Sequence, residues 1–131
     1  MKKLVCGVFA VAAVALAGRL VAEDKADAKP KFKIKDVMEK AHKGGDDSLR
    51  NRVLAGKASK KEIDTLVELY AELGKNTPPM GSKEAWKKKT AEVLAAARKV
   101  KADPEDKKAL AAYSKATACM ACHDTFKKDD D

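Results

Sequence analysis

From Phe32 onward the apolar positions recur with the 3.6-residue period of an α-helix. Ile34, Val37, Met38, Ala41 and His42 fall at i, i+3, i+4, i+7 and i+8 and form one stripe, which Gly44-Gly45 ends. A short piece follows, with Asp47 or Ser48 to cap it, Leu49, Val53 and Leu54 on its apolar side, and Gly56 to stop it. Ser59-Lys60-Lys61-Glu62 has the form of a capping box, in which each end side chain satisfies a free backbone N–H of the other. Behind it Ile63, Leu66, Val67, Tyr70 and Leu73 make a longer stripe, with Gly74 in the C-cap position. Pro78, Pro79 and Gly81 make 75–81 a loop. Ser82 can cap the next helix, whose inner positions are Trp86, Thr90, Val93, Leu94, Ala97 and Val100. Asp103-Pro104-Glu105 offers a cap, a first-turn proline and an early acid to a last helix. That helix carries Leu110, Tyr113, Ala116 and Thr117 and runs on to Phe126.

No stretch alternates with period two over strand length, and from Phe32 on proline and glycine fall only between the helical segments. The pattern predicts an all-α fold: a four-helix bundle with a short extra helix after the first. Residues 32–127 form this bundle and 128–131 an acidic tail.

The region before Phe32 has a different character. Lys2 and Lys3 precede a charge-free apolar run from Leu4 to Ala17, and Ala15-Leu16-Ala17 and Leu20-Val21-Ala22 each resemble a small-residue cleavage site. This is the layout of a secretory signal peptide over 1–22, removed on export. An uncut membrane anchor is the alternative, but the run is short for a span of about 20 residues, and Arg19 interrupts it. Residues 23–31 are charged and proline-interrupted and read as a flexible leader. The expectation is a periplasmic or otherwise extracytoplasmic protein with no stable membrane insertion after cleavage.

Loss of Lys2, Lys3 and Arg19 lowers the net charge from +8 to +5. The excess is lysine, with acids mixed in throughout. Aromatic residues make up only 5% of the chain, too few for the stacking surface that single-stranded nucleic acid needs, so no nucleic-acid partner is expected. A lysine-rich solvated surface is the plain reading. Docking to an acidic redox partner is the sharper one, because complementary charge speeds encounter.

Cleavage would also remove Cys6, leaving Cys119 and Cys122. A disulfide between residues three apart closes too small a loop to stabilise much. Cys119-Met120-Ala121-Cys122-His123 instead has the CxxCH spacing of c-type heme attachment. Helical residues three apart share a face, so the two thiols can each form a thioether to one heme vinyl group. The imidazole of His123 then lies where it can bind iron from below. The cofactor expected is one covalent heme c. Three other readings are weaker. Tetrahedral zinc needs further ligands, and only His42 and carboxylates remain. A thioredoxin-like motif needs a βαβ setting, and an incidental cysteine pair has no rationale.

An export signal, four helices and a CxxCH in the last of them resemble the class II c-type cytochromes: the cytochrome c prime family and its low-spin, methionine-ligated relatives. The resemblance spans residues 32–127. It implies that Cys119 and Cys122 hold the heme and that His123 is the fifth ligand. It also implies that a residue on the first helix faces the other side of the iron. Met38 and His42 share the inner stripe of that helix, so either could bind the metal, or the site could stay open to small gases. Met120 lies on the proximal side and Met80 beside the proline loop, and both are weaker candidates. Trp86, Tyr70, Tyr113 and Phe126 are candidate walls of a heme pocket, with plain core packing as the alternative. Lys115, Lys127 and Lys128 flank the motif and could meet heme propionates or an acidic partner. Family members often dimerise through their first two helices, which makes a homodimer an implied possibility.

Two functions follow. A saturated iron makes a monoheme electron carrier, and an open distal face makes a binder of nitric oxide or carbon monoxide. A non-heme structural helical protein is the third reading. An enzyme is not expected. The sequence shows no Ser/His/acid set or phosphate loop, and one histidine beyond the motif is too few for a distal acid–base pair.

Overall fold

The computed structural model describes residues 29–128. The expected signal peptide, most of the expected leader and residues 129–131 of the acidic tail lie outside the described residues. Within them the chain is all-α and no strand occurs. Six α-helices follow in order: α1 (Ile34–Ala41), α2 (Leu49–Leu54), α3 (Lys60–Leu73), α4 (Lys83–Ala102), α5 (Lys107–Ala116) and α6 (Cys119–Phe126). A single 3-10 turn, Gly45–Asp47, stands between α1 and α2. No helix among the described residues is long and apolar enough to cross a membrane.

Side chains set most helix starts. Ser48 Oγ accepts from Asn51 N at 3.3 Å and opens α2. The capping box forms as read: Ser59 Oγ accepts from Glu62 N at 3.2 Å, and Glu62 Oε2 accepts from Ser59 N at 2.8 Å. Ser82 Oγ accepts from Ala85 N at 3.1 Å and opens α4. The start of α5 differs from expectation. Asp103 ends α4 and accepts from Glu105 N, so Asp103-Pro104-Glu105 is a turn. Asp106 is the cap, its Oδ1 accepting from Lys108 N at 2.9 Å.

The expected last helix is not continuous. It breaks at Thr117-Ala118, so the cysteine motif has a short helix of its own. Thr117 Oγ1 donates to Tyr113 O at 2.7 Å and accepts from Arg50 Nε at 2.8 Å. A threonine hydroxyl that bonds back to the i−4 carbonyl competes with the helix ladder. Here a guanidinium from α2 holds that arrangement.

The core lies where α3 packs on α4, α4 on α5, and α1 with α2 close over α3. Val37, Ala41, Leu66, Leu69, Tyr70, Ala97, Val100 and Tyr113 are essentially sealed from solvent. Burying one such leucine or valine is worth about 1.5–3 kcal/mol. Gly74 ends α3 with ordinary helical dihedrals, so its lack of a side chain serves packing. A Cβ there would lie 3.2 Å from Thr90 Oγ1 on α4. The chain before α1 is tied to the far end of α3. Lys31 N donates to Glu72 Oε2 at 2.6 Å, and Asn76 Nδ2 donates to Phe32 O at 2.9 Å. This tie fixes the entry of α1 and hence the direction its inner stripe faces.

Candidate functional site

The inner stripe of α1 divides by depth. Val37 and Ala41 are buried in the core, whereas Met38 and His42, one turn apart, are half-buried and border a cavity of about 720 Å³. That volume lies in the range of about 300–1,000 Å³ typical of ligand and cofactor sites. A second part of its lining is α6 with the residues leading into it. Cys119, Cys122 and His123 all border the cavity, together with Ala116, Thr117 and Ala118. Both cysteines are free thiols. Burial among apolar groups raises the pKa of the Cys122 thiol, partly offset by the Lys89 ammonium, so it is held as the neutral thiol.

The walls between these two parts are apolar. Ile34, Leu73, Trp86, Val93 and Phe126 supply most of them. Phe126 is the one residue of α6 that is buried, and it packs edge-on against Trp86 with ring centroids 5.2 Å apart. Gly81 makes room for it: a Cβ at that position would lie 2.9 Å from Phe126 Cδ1. The proline–glycine loop thus seats the end of α6. Trp86 is itself 3% exposed, and among the described residues its indole N–H has no hydrogen-bond acceptor. Four lysines, Lys33, Lys35, Lys127 and Lys128, stand at the cavity edge.

His42 borders the cavity and is strongly perturbed. Burial, reinforced by the nearby Arg50 guanidinium and His123 imidazole, lowers its pKa to about 4, so it is neutral at pH 7. Its Nε2 lies 3.1 Å from the Tyr70 hydroxyl, and that hydroxyl lies 3.0 Å from the hydroxyl of Tyr113. The three polar tips form a chain running from the cavity wall into the core. Both tyrosines stay protonated: burial raises the Tyr70 pKa far above its ordinary value and pushes that of Tyr113 up to about 12.

The structure therefore brings Met38, His42, Tyr70, Trp86, Cys119, Cys122, His123 and Phe126 to one cavity. Tyr113 does not border it. It is fully buried behind Tyr70, in the plain core packing that was the alternative to a place in the pocket wall. Met80 and Met120 are exposed, at 42% and 65%, and neither borders the cavity, nor does Lys115. Sequence reasoning missed Arg50, whose guanidinium donates to Thr117 Oγ1 and to Ser114 O and so fixes the break before the motif. No periodicity or motif singles it out. Among the described residues, no three His, Cys, Asp or Glu side chains come together as a group able to hold a bare metal ion.

No protein-family model, curated protein or solved structure matches this chain.

Proposed function

We propose that this chain is an exported monoheme c-type cytochrome that carries electrons, with its heme held by Cys119 and Cys122. The observation that carries the reading is the shared cavity. Two free thiols and an imidazole in CxxCH spacing line it, together with a thioether and a second imidazole from the α1 segment. The donor set fits heme c; two cysteines and two histidines would also match zinc in kind, but among the described residues no three such side chains come together around a bare ion. The apolar walls suit a porphyrin face, and Lys33, Lys35, Lys127 and Lys128 are placed to meet its two carboxylates or an acidic protein partner. On this reading the α-helices are those of a class II cytochrome four-helix bundle. Covalent attachment outside the cytoplasm accords with the export signal read at 1–22.

When bound, the heme supplies the one-electron couple. The chain's residues do the rest. Cys119 and Cys122 would hold the heme through thioethers to its vinyl groups, and His123 would bind its iron. Met38 would be the second protein ligand to the iron, because it borders the cavity and, among the described residues, its sulfur makes no hydrogen bond, whereas His42 is bonded to Tyr70. Trp86 and Phe126 keep water from the ring, which raises the reduction potential as methionine ligation also does.

The test is expression in a host with a c-type maturation system. The purified protein should gain the mass of one heme and keep its red colour on denaturation. Replacing both Cys119 and Cys122 by serine should abolish both. A polypeptide of unmodified mass would overturn the proposal. With heme attached, a ferrous spectrum indifferent to carbon monoxide supports the carrier. Immediate carbon monoxide binding would make the protein a gas binder instead.

A further inference from the structure

We infer that Tyr70 is the positioning residue that decides which side chain of α1 binds the heme iron. Its hydroxyl holds His42 back, and so Met38 is the ligand. The inference rests on the heme reading above.

The problem it answers is a competition. Met38 and His42 stand one turn apart and border the same cavity. Imidazole is the stronger ligand for ferric iron, so an unrestrained His42 would displace a thioether. The restraint is visible in the hydrogen bond between His42 Nε2 and the Tyr70 hydroxyl, 3.1 Å apart. Nε2 is withheld from iron in either tautomer. If Nε2 accepts from Tyr70, its lone pair is used. If Nε2 carries the proton and donates, it has no lone pair to offer. Only Nδ1 remains, and only in the second case, since in the first it carries the ring proton.

Tyr70 is built to hold this position. It is 1% exposed, its ring packs against both His42 and Tyr113, and its hydroxyl is fixed from behind by the Tyr113 hydroxyl at 3.0 Å. A hydroxyl anchored at both ends cannot follow His42 toward the cavity. Tyr70→Phe keeps the ring and removes only the anchor. It leaves Nε2 as an unpaired polar atom in apolar surroundings, and the iron becomes its best partner.

The experiment compares matured wild type, Tyr70→Phe, His42→Ala and the double variant, after heme stain and intact mass confirm one covalent heme in each. Ferric wild type should show the far-red sulfur-to-iron charge-transfer band of methionine ligation. Tyr70→Phe should lose that band, turn to a two-nitrogen low-spin signal in electron paramagnetic resonance, and fall in reduction potential. His42→Ala and the double variant should keep the sulfur band, which separates a ligand switch from general disruption. In ferrous wild type, nitrogen NMR of labelled histidine should show Nε2 of His42 hydrogen-bonded and free of iron. This second readout does not depend on how any variant folds. The inference is overturned by a sulfur band that persists unchanged in Tyr70→Phe, by its absence from wild type, or by iron-bound His42 in the wild-type NMR spectrum. A chain that takes up no covalent heme overturns the proposed function itself, and the heme stain separates that outcome from the others.

Discussion

Phe126 meets Trp86 edge-on, with ring centroids 5.2 Å apart and planes at 75°, and through this contact the motif helix α6 is fastened to the body of the protein. The other residues of α6 are half-buried or exposed. A helix of two turns has little stability of its own, so its position depends on one aromatic anchor. Phe126→Ala should remove about 3–5 kcal/mol of packing and free α6 locally. Limited proteolysis read by mass spectrometry should then cut rapidly near Thr117-Ala118, while the unfolding midpoint of the α3–α5 core changes little. A variant as protease-resistant as wild type would show that α6 is held by something else.

Gly81 is the other half of this seat. Its φ is +80°, a backbone conformation costing other residues about 1–2 kcal/mol. An added Cβ would also press on the Phe126 ring. Gly81→Ala should therefore lower stability by more than the backbone cost alone and loosen the same protease site. The excess over the backbone cost should shrink when Phe126 is already alanine, leaving only the contact with the Thr125 carbonyl oxygen 3.3 Å away. Urea denaturation of the two single variants and the double variant measures this coupling.

Arg50 joins α2 to the end of α5 through bonds to Thr117 Oγ1 at 2.8 Å and Ser114 O at 3.3 Å, and it also donates to Asn51 Oδ1. Hydrogen bonds from a charged donor are worth about 1.5–3 kcal/mol. Arg50→Ala should cost roughly that much in equilibrium denaturation. Arg50→Lys should recover little of it, since an ammonium cannot reproduce the guanidinium fork.

His42 makes the heme-free chain sensitive to acid. Its pKa falls from 6.5 to about 4 on folding, chiefly through burial. Between these values the unfolded chain binds more protons, so stability rises with pH across the window. The contribution is complete above pH 6.5 and is lost as pH falls toward 4. The shift corresponds to about 3 kcal/mol. His42→Gln should flatten the pH dependence by that order, measured as urea midpoints for both proteins between pH 4 and pH 6.5.

Helices and caps were legible in the sequence because their causes are local. Ser59 with Glu62, and Ser82, lie within one turn of the groups they satisfy. The stripe of α1 also placed Met38 and His42 correctly on one side, since a helical period is a local property. What escaped the reading depends on residues far apart in the chain. The break at Thr117 needs Arg50, 67 positions away. The burial of Tyr113 behind Tyr70 depends on a contact across 43 positions, and the bond that engages His42 spans 28. Periodicity says which face of a helix turns inward. It does not say which inward residue reaches a cavity and which stops in the core. The choice of Asp106 over Asp103 as a cap was a local matter, but both aspartates offered the same chemistry within one turn.

The cavity takes part of its lining from the first and last helices of the described chain, α1 and α6. During synthesis the helices between them emerge before α6 exists. A product truncated after α5 would keep most of the buried core yet possess only part of a binding cleft. Completion of the site thus waits on α6, and any cofactor it takes must wait for both helices.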